Sequence, residues 1–332
     1  MLDLKRLQRL RLVRYPISQR FFGQLLHVNY QWLPGVKLSL ENAEKIPDEP
    51  VIFAMNHTDR YNYFPFQYTL WKMFNRFTAT WVKGKYYENR LLAQFMESMF
   101  QLPTVSRGYL ITRDFVSVLG RTPTDQEYAL LRLAVDERAV GEAGILPEPP
   151  DVPEMLLRKA RNPLGVAYEP ADADYADYIC SLFREMMGRF VSLNREACEV
   201  GLDLLVFPQG TRSLRLMPAH IGIAQMALHL KVPIVPIGCN GSDVVYPGGS
   251  PFGKKGSICY RVGDPIHYAE LEAFHIKEDY LPFSAVAERD FAEPFKAVAA
   301  LVTDRIEPLL DPEYQRFREE DVEMARSAER FL

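Results

Sequence analysis

The chain has no apolar run approaching the roughly 20 residues that a membrane-spanning helix needs, so an integral helical anchor is not expected. Its start, MLDLKRLQRLRLVRYPISQRFF, has charges interrupting every apolar stretch, which argues against a signal peptide. Cysteine is scarce: Cys180, Cys198, Cys239 and Cys259 are widely spaced among 332 residues and form no C-x-x-C pair. That excludes a metal cage or a disulfide framework as the organising principle and points to a reducing compartment. Charge of one sign is also lacking. A net charge of −4 sets up no basic field of the kind that nucleic-acid binding requires. There is no internal repeat and no low-complexity tract.

What is present is an ordinary globular composition, 48% hydrophobic and 25% charged, enough to bury a core in one large domain or two small ones. Residues 1–35 set Lys5, Arg6, Arg9, Arg11, Arg14 and Arg20 among leucines, followed by Phe21, Phe22, Leu25, Leu26, Tyr30 and Trp32. Such a segment suits either a bilayer interface or a helix docked on the core with its arginines outward.

Beyond it, strand-like runs alternate with helical ones. Strands are predicted over 36–42, 51–55, 78–83, 102–105, 203–207, 232–239 and 257–262, and helices over 64–74, 86–99, 218–230 and from 284 onward. This alternation means α/β: a mostly parallel, mixed central sheet flanked by helices. The run 232–239 is apolar almost throughout, as in a strand buried between parallel neighbours. Residues 109–175 read as a helical insertion into a domain spanning 36–283, with Thr124-x-x-Glu127 as a capping box before a helix over 128–140. A long helix follows through Glu199, and 284–332 form a helical tail.

Two segments carry chemistry. Asn56-His57-Thr58-Asp59-Arg60-Tyr61-Asn62 follows the strand Val51-Ile52-Phe53-Ala54-Met55, and Pro208-Gln209-Gly210-Thr211-Arg212-Ser213 follows Leu204-Leu205-Val206-Phe207. Strand ends are where open α/β sheets place ligands. His57 is the candidate general base, and a base of this kind works best when another group holds its second ring nitrogen. Asp59 and Asn62 are the local candidates. The second turn offers Arg212, Thr211 and the amides of Gln209 and Gly210 to an anion.

These segments resemble the glycerolipid acyltransferase superfamily, typified by the 1-acylglycerol-3-phosphate acyltransferases. Asn56 and His57 match the start of its His-x-x-x-x-Asp block. Leu102 to Gly108 fits the second block, which ends in an arginine, here Arg107. Phe207 to Ser213 matches the third, Phe-Pro-Glu-Gly-Thr-Arg-Ser, except at Gln209. Val232 to Gly238 matches the apolar fourth. The resemblance implies that His57 deprotonates an acceptor hydroxyl, which attacks the thioester of acyl-CoA or an acyl-carrier protein. It further implies that Arg107 and Arg212 hold the phosphate of a lysophospholipid or glycerol-phosphate acceptor. No metal or bound cofactor is implied, because the thioester arrives activated. The implied place is cytoplasmic, peripheral on the inner face of a membrane. Asn62 stands where that family has Asp, Gln209 where it has Glu, and His220 where it often has Lys. An amide oxygen accepts a hydrogen bond from imidazole but gives imidazolium no charge. On sequence alone, an aspartate in place of Asn62 is expected to preserve or raise activity, and a non-catalytic lipid-binding relative is the rival reading.

Overall fold

The computed structural model describes residues 2–32, 35–142 and 145–317. The tail expected beyond residue 317 lies outside the described residues. In chain order the elements are α1 (Leu4–Arg9), α2 (Ile17–Gln31), β1 (Val36–Glu41), β2 (Ile52–Met55), α3 (Tyr63–Phe74) and β3 (Thr78–Lys83). Next come α4 (Arg90–Ser98), β4 (Gln101–Thr104), α5 (Arg107–Leu119), α6 (Asp125–Ala139), α7 (Glu154–Arg158) and α8 (Tyr175–Glu199). The remainder is β5 (Asp203–Val206), α9 (Gly222–Leu230), β6 (Ile234–Asn240), α10 (Ser242–Val245), β7 (Gly256–Val262), α11 (Ala285–Asp290) and α12 (Ala292–Ile306). The architecture is a mixed, mostly parallel sheet flanked by helices, as the alternating pattern predicts.

The chain divides into two compact units. One comprises Val13–Ala79, Ala197–Ile276 and Glu293–Leu332. Its strands lie in the order β1-β7-β6-β2-β5, with the start of β3 beside β5. β2 is parallel to both neighbours, pairing Ile52 with Leu204 and with Ile234. β6 is parallel to β2 but antiparallel to β7, Ile237 facing Val262. The apolar run that reads as a strand between parallel neighbours is therefore parallel on one side only. Continuous burial, rather than direction, is what its composition encodes: every residue of β2, β5 and β6 is buried. Phe53, Met55, Phe66, Leu205, Val235, Ile237 and Tyr260 form the centre of this core.

Local sequence explains the flanks. α12 buries Phe295, Val298, Ala299, Val302 and Ile306, an apolar stripe at helical spacing. α9 begins at Gly222 rather than at Pro218, later than the sequence suggests. α2 buries Gln19, Gly23, Leu26, Asn29 and Tyr30. A Cβ on Gly23 would lie 2.7 Å from the Trp71 ring, so glycine sets how closely α2 approaches α3. Asp203, buried at the start of β5, accepts from the Val51 amide and pairs with Arg76, which also binds the Glu49 carbonyl.

The second unit comprises Met1–Leu12, Thr80–Glu196 and Lys277–Ala292. β3 pairs in parallel with β4, Thr80 opposite Gln101. The insertion expected over 109–175 is helical, with α5 already starting at Arg107. Thr124 and Glu127 form the anticipated capping box, and Arg121 grips Glu127 with both nitrogens. That guanidinium, ahead of the Thr124 backbone hydrogen bond, lowers the Glu127 carboxyl to about 2. A bidentate Asp114–Arg161 pair, fully buried on the acid side, ties α5 to the chain that follows α7. The Arg161 guanidinium lies 4.3 Å from the Tyr168 ring centre. α1 turns Leu4 and Leu7 inward, and Leu2 and Leu10 on either side of it are buried as well.

Candidate active site

The buried run of β2 ends at Asn56, whose side chain behaves as one more rung of the sheet. Its Oδ1 accepts from the Cys239 amide at 2.7 Å and its Nδ2 donates to the Cys239 carbonyl at 3.0 Å. This bond pair stops the strand and delivers the next residue, half-buried His57, to the sheet end. His57 Nδ1 lies 3.1 Å from Asn62 Oδ1. Asn62 occupies the position before α3 where a capping side chain normally points forward into the helix. Instead its side chain is turned back and fully buried, Nδ2 donating to the Asn56 carbonyl at 2.9 Å. The Tyr260 hydroxyl donates to the Asn62 carbonyl at 2.6 Å and holds the backbone there.

This arrangement decides the imidazole tautomer. A carbonyl neighbour claims the Asn62 amide nitrogen, so only the amide oxygen faces His57. An acceptor at Nδ1 requires Nδ1–H, which leaves the lone pair on Nε2. The amide oxygen thereby fixes the orientation of the ring, a geometry that a carboxylate can also provide. On its flat side the imidazole is walled by Phe207, whose ring stacks on it at 4.1 Å between centroids and 23° between planes.

The second turn clamps the His57 peptide from both sides. Gln209 Oε1 accepts from the His57 amide at 3.1 Å, and the Ser213 amide donates to the His57 carbonyl at 2.8 Å. Gln209 is buried, and among the described residues its Nε2 has no hydrogen-bond partner. Its side-chain oxygen therefore supports the histidine, while the two Nε2 hydrogens are left unused among the described residues. Gly210 adopts φ +66°, and a Cβ there would meet the His220 ring at 2.7 Å. No other residue fits that turn without strain. His220 is thus a packing partner of the turn, its amide bound to the Pro208 carbonyl at 2.8 Å. Thr211 and Arg212 are exposed at the tip, and among the described residues no carboxylate pairs with Arg212. Among the described residues, no group of three or more histidine, cysteine, aspartate or glutamate side chains is arranged to hold a metal.

Asp59 serves the loop. Its Oδ1 accepts from the Tyr61 amide at 2.8 Å and its Oδ2 from the Thr58 hydroxyl at 3.0 Å. Burial raises its carboxyl above the usual range, against those hydrogen bonds. Arg107 belongs to the other unit, where it opens α5; its guanidinium lies 4.6 Å from the Phe183 ring centre and 3.7 Å from Asp136 Oδ1. The roles of Asn56 as lock, Tyr260 as brace and Phe207 as stacking wall are not visible in the sequence. Phe207 reads there as one more apolar strand residue, and Tyr260 lies almost 200 positions from its partner.

No curated protein sequence matches the chain. Among solved structures it is similar to the 1-acyl-sn-glycerophosphate (LPA) acyltransferase PlsC from Thermotoga maritima, at 14% identity and a TM-score of 0.38. The match covers 91% of this chain and 80% of that one. Residues 183–240, which carry β5, the Phe207–Ser213 turn, α9 and β6, match the family model described as Acyltransferase, a family-level relationship that stops short of His57 and Arg107.

Proposed function

We propose that the protein is an acyltransferase that moves a fatty acyl group from acyl-CoA or an acyl-carrier protein to the hydroxyl of a phosphorylated acceptor. The acceptor is a lysophosphatidate-like phospholipid or a glycerol phosphate. The observation that carries this reading is the 3.1 Å contact of His57 Nδ1 with an Asn62 oxygen whose amide nitrogen is already engaged. Nε2 then takes the hydroxyl proton, and the alkoxide attacks the thioester carbonyl. Collapse of the tetrahedral adduct breaks the carbon–sulfur bond, and His57 returns the proton to the leaving thiolate. Arg212, Thr211 and the amides of Gln209 and Gly210 are proposed phosphate ligands in their unit, and Arg107 is a proposed phosphate ligand in the other.

Such an acceptor brings the enzyme to a lipid surface, at the inner face of a membrane. No helix among the described residues is long and apolar enough to cross one. α2 supplies a fitting contact: Ile17, Phe21, Leu25 and Trp32 are 81%, 66%, 53% and 72% exposed, with Arg14 and Arg20 beside them. Aromatic and aliphatic side chains flanked by arginines suit an anionic interface.

The deciding experiment incubates the protein with labelled acyl-CoA, with and without lysophosphatidate. The expected result is acceptor-dependent transfer that disappears in His57→Ala. Release of free fatty acid would indicate a hydrolase. Lysolipid binding without turnover would favour a non-catalytic relative, the reading that the uncharged Asn62 and Gln209 support.

A further inference from the structure

The Arg107 guanidinium is held in place but little used. It lies over the Phe183 ring at 4.6 Å, and its Nη1 approaches Asp136 Oδ1 only to 3.7 Å. A charge-assisted hydrogen bond would be about 2.7–2.9 Å. Asp136 Oδ1 is shut off from water, and among the described residues nothing donates a hydrogen bond to it. The other Asp136 oxygen accepts from Arg132 Nε at 2.5 Å. Arg132 reaches the first turn of α5 because residue 108 is glycine. A Cβ there would lie 2.1 Å from the Tyr128 hydroxyl and 3.1 Å from Arg132 Nη1. Two guanidinium groups and the start of a 13-residue helix therefore surround a single carboxylate that engages Arg132 closely and Arg107 poorly.

We propose that Arg107 and Arg132 together form a phosphate-monoester site, and that Asp136 occupies it as an internal substitute until the ligand displaces it. This rests on the assignment of Arg107 as a phosphate ligand and extends it to α6. A carboxylate brings one charge and two oxygens, whereas a phosphate monoester brings up to two charges and three terminal oxygens. Only the latter neutralises both arginines and still has an oxygen for the helix start, where backbone N–H groups and the helix dipole favour an anion. Arg132 is thus a ligand supplied by the insertion, and Asp136 sets the affinity.

The test is calorimetric titration of the full chain with inorganic phosphate, glycerol 3-phosphate and micellar lysophosphatidate. Asp136→Asn should tighten phosphate binding about tenfold, and Arg132→Gln should weaken it about tenfold, as expected for one charged contact removed or unmasked. Equal shifts for all three ligands would locate recognition in the phosphate itself. The same shifts seen with lysophosphatidate alone would locate it in a lipid headgroup, with the proposal intact. An Asp136→Asn variant with a normal melting curve and unchanged or weaker binding would overturn the proposal, leaving the pair as a clamp between α5 and α6. Because binding is read directly, these shifts in a protein without turnover would uphold the site while removing the acyltransferase reading.

Discussion

At the scale of single residues, the Asn62 amide nitrogen matters as much as its oxygen. Replacing Asn62 by aspartate would place a carboxylate oxygen where Nδ2 now donates to the Asn56 carbonyl at 2.9 Å. Two acceptors would then face each other in a fully buried position. That contact argues against the gain that the sequence suggests for aspartate here. Asn62→Asp is expected to lose about 1–3 kcal/mol of stability, the cost of an unsatisfied buried polar group, and to transfer acyl groups more slowly at neutral pH. Denaturant unfolding and the labelled acyl-CoA assay read the two effects separately, and a faster, equally stable variant would refute the locked-tautomer account. Asp59 differs, because its oxygens are used within its own turn. Asp59→Asn should cost stability while leaving more activity than Asn62→Leu.

At the scale of elements, the two N-terminal helices differ in which apolar side chains they expose. α1 buries its leucines, whereas α2 exposes Ile17, Phe21, Leu25 and Trp32. Phe21→Glu with Leu25→Glu should sharply reduce flotation with anionic liposomes. Arg9→Gln with Arg11→Gln should reduce it less, by at most the roughly 1 kcal/mol that each arginine near such a surface contributes. Equal losses from both pairs would return the membrane contact to α1. The start of α6 offers a pH test. Arg121 holds the Glu127 carboxyl down to about 2 in the fold, against about 4.3 in an unfolded chain. A depressed folded value stabilises above the unfolded value and is lost as pH falls through the folded one. The stability advantage of wild type over Glu127→Gln should therefore be full at about pH 6 and shrink steadily from about pH 4.3 towards 2 in urea unfolding curves.

For the molecule as a whole, the sheet of the first unit depends on polar ties at both ends of its buried strands. At one end Asn56 binds the β6 backbone; at the other Asp203 binds the Val51 amide and Arg76. Burial already raises the Asp203 carboxyl above its usual range, and Arg76 opposes that rise. Arg76→Met would strand a buried charge and should cost about 3–5 kcal/mol at neutral pH. Because the folded value is then raised further, the deficit should be full at neutral pH and ease towards the ordinary carboxylate range. Thermal melts at about pH 4 and about pH 7 would show the easing, and a pH-independent deficit would mean that Arg76 matters only through packing.

The elements and the chemistry-bearing positions are local properties, and the sequence by itself determined them. Apolar runs of four to seven residues became β2, β5 and β6, and Thr124-x-x-Glu127 became a helix start. His57 and Gln209 came to strand ends because turn-forming residues follow those runs. Three matters were decided only by tertiary structure. The direction of β7 against β6 depends on where the connection between them returns, and apolar composition does not record that. Which leucines of the basic N-terminal segment are buried depended on what α1 and α2 each met, since leucine is equally suited to core or surface. The tautomer of His57 was settled by the Asn56 carbonyl, a backbone group that every residue possesses and that no motif can reveal.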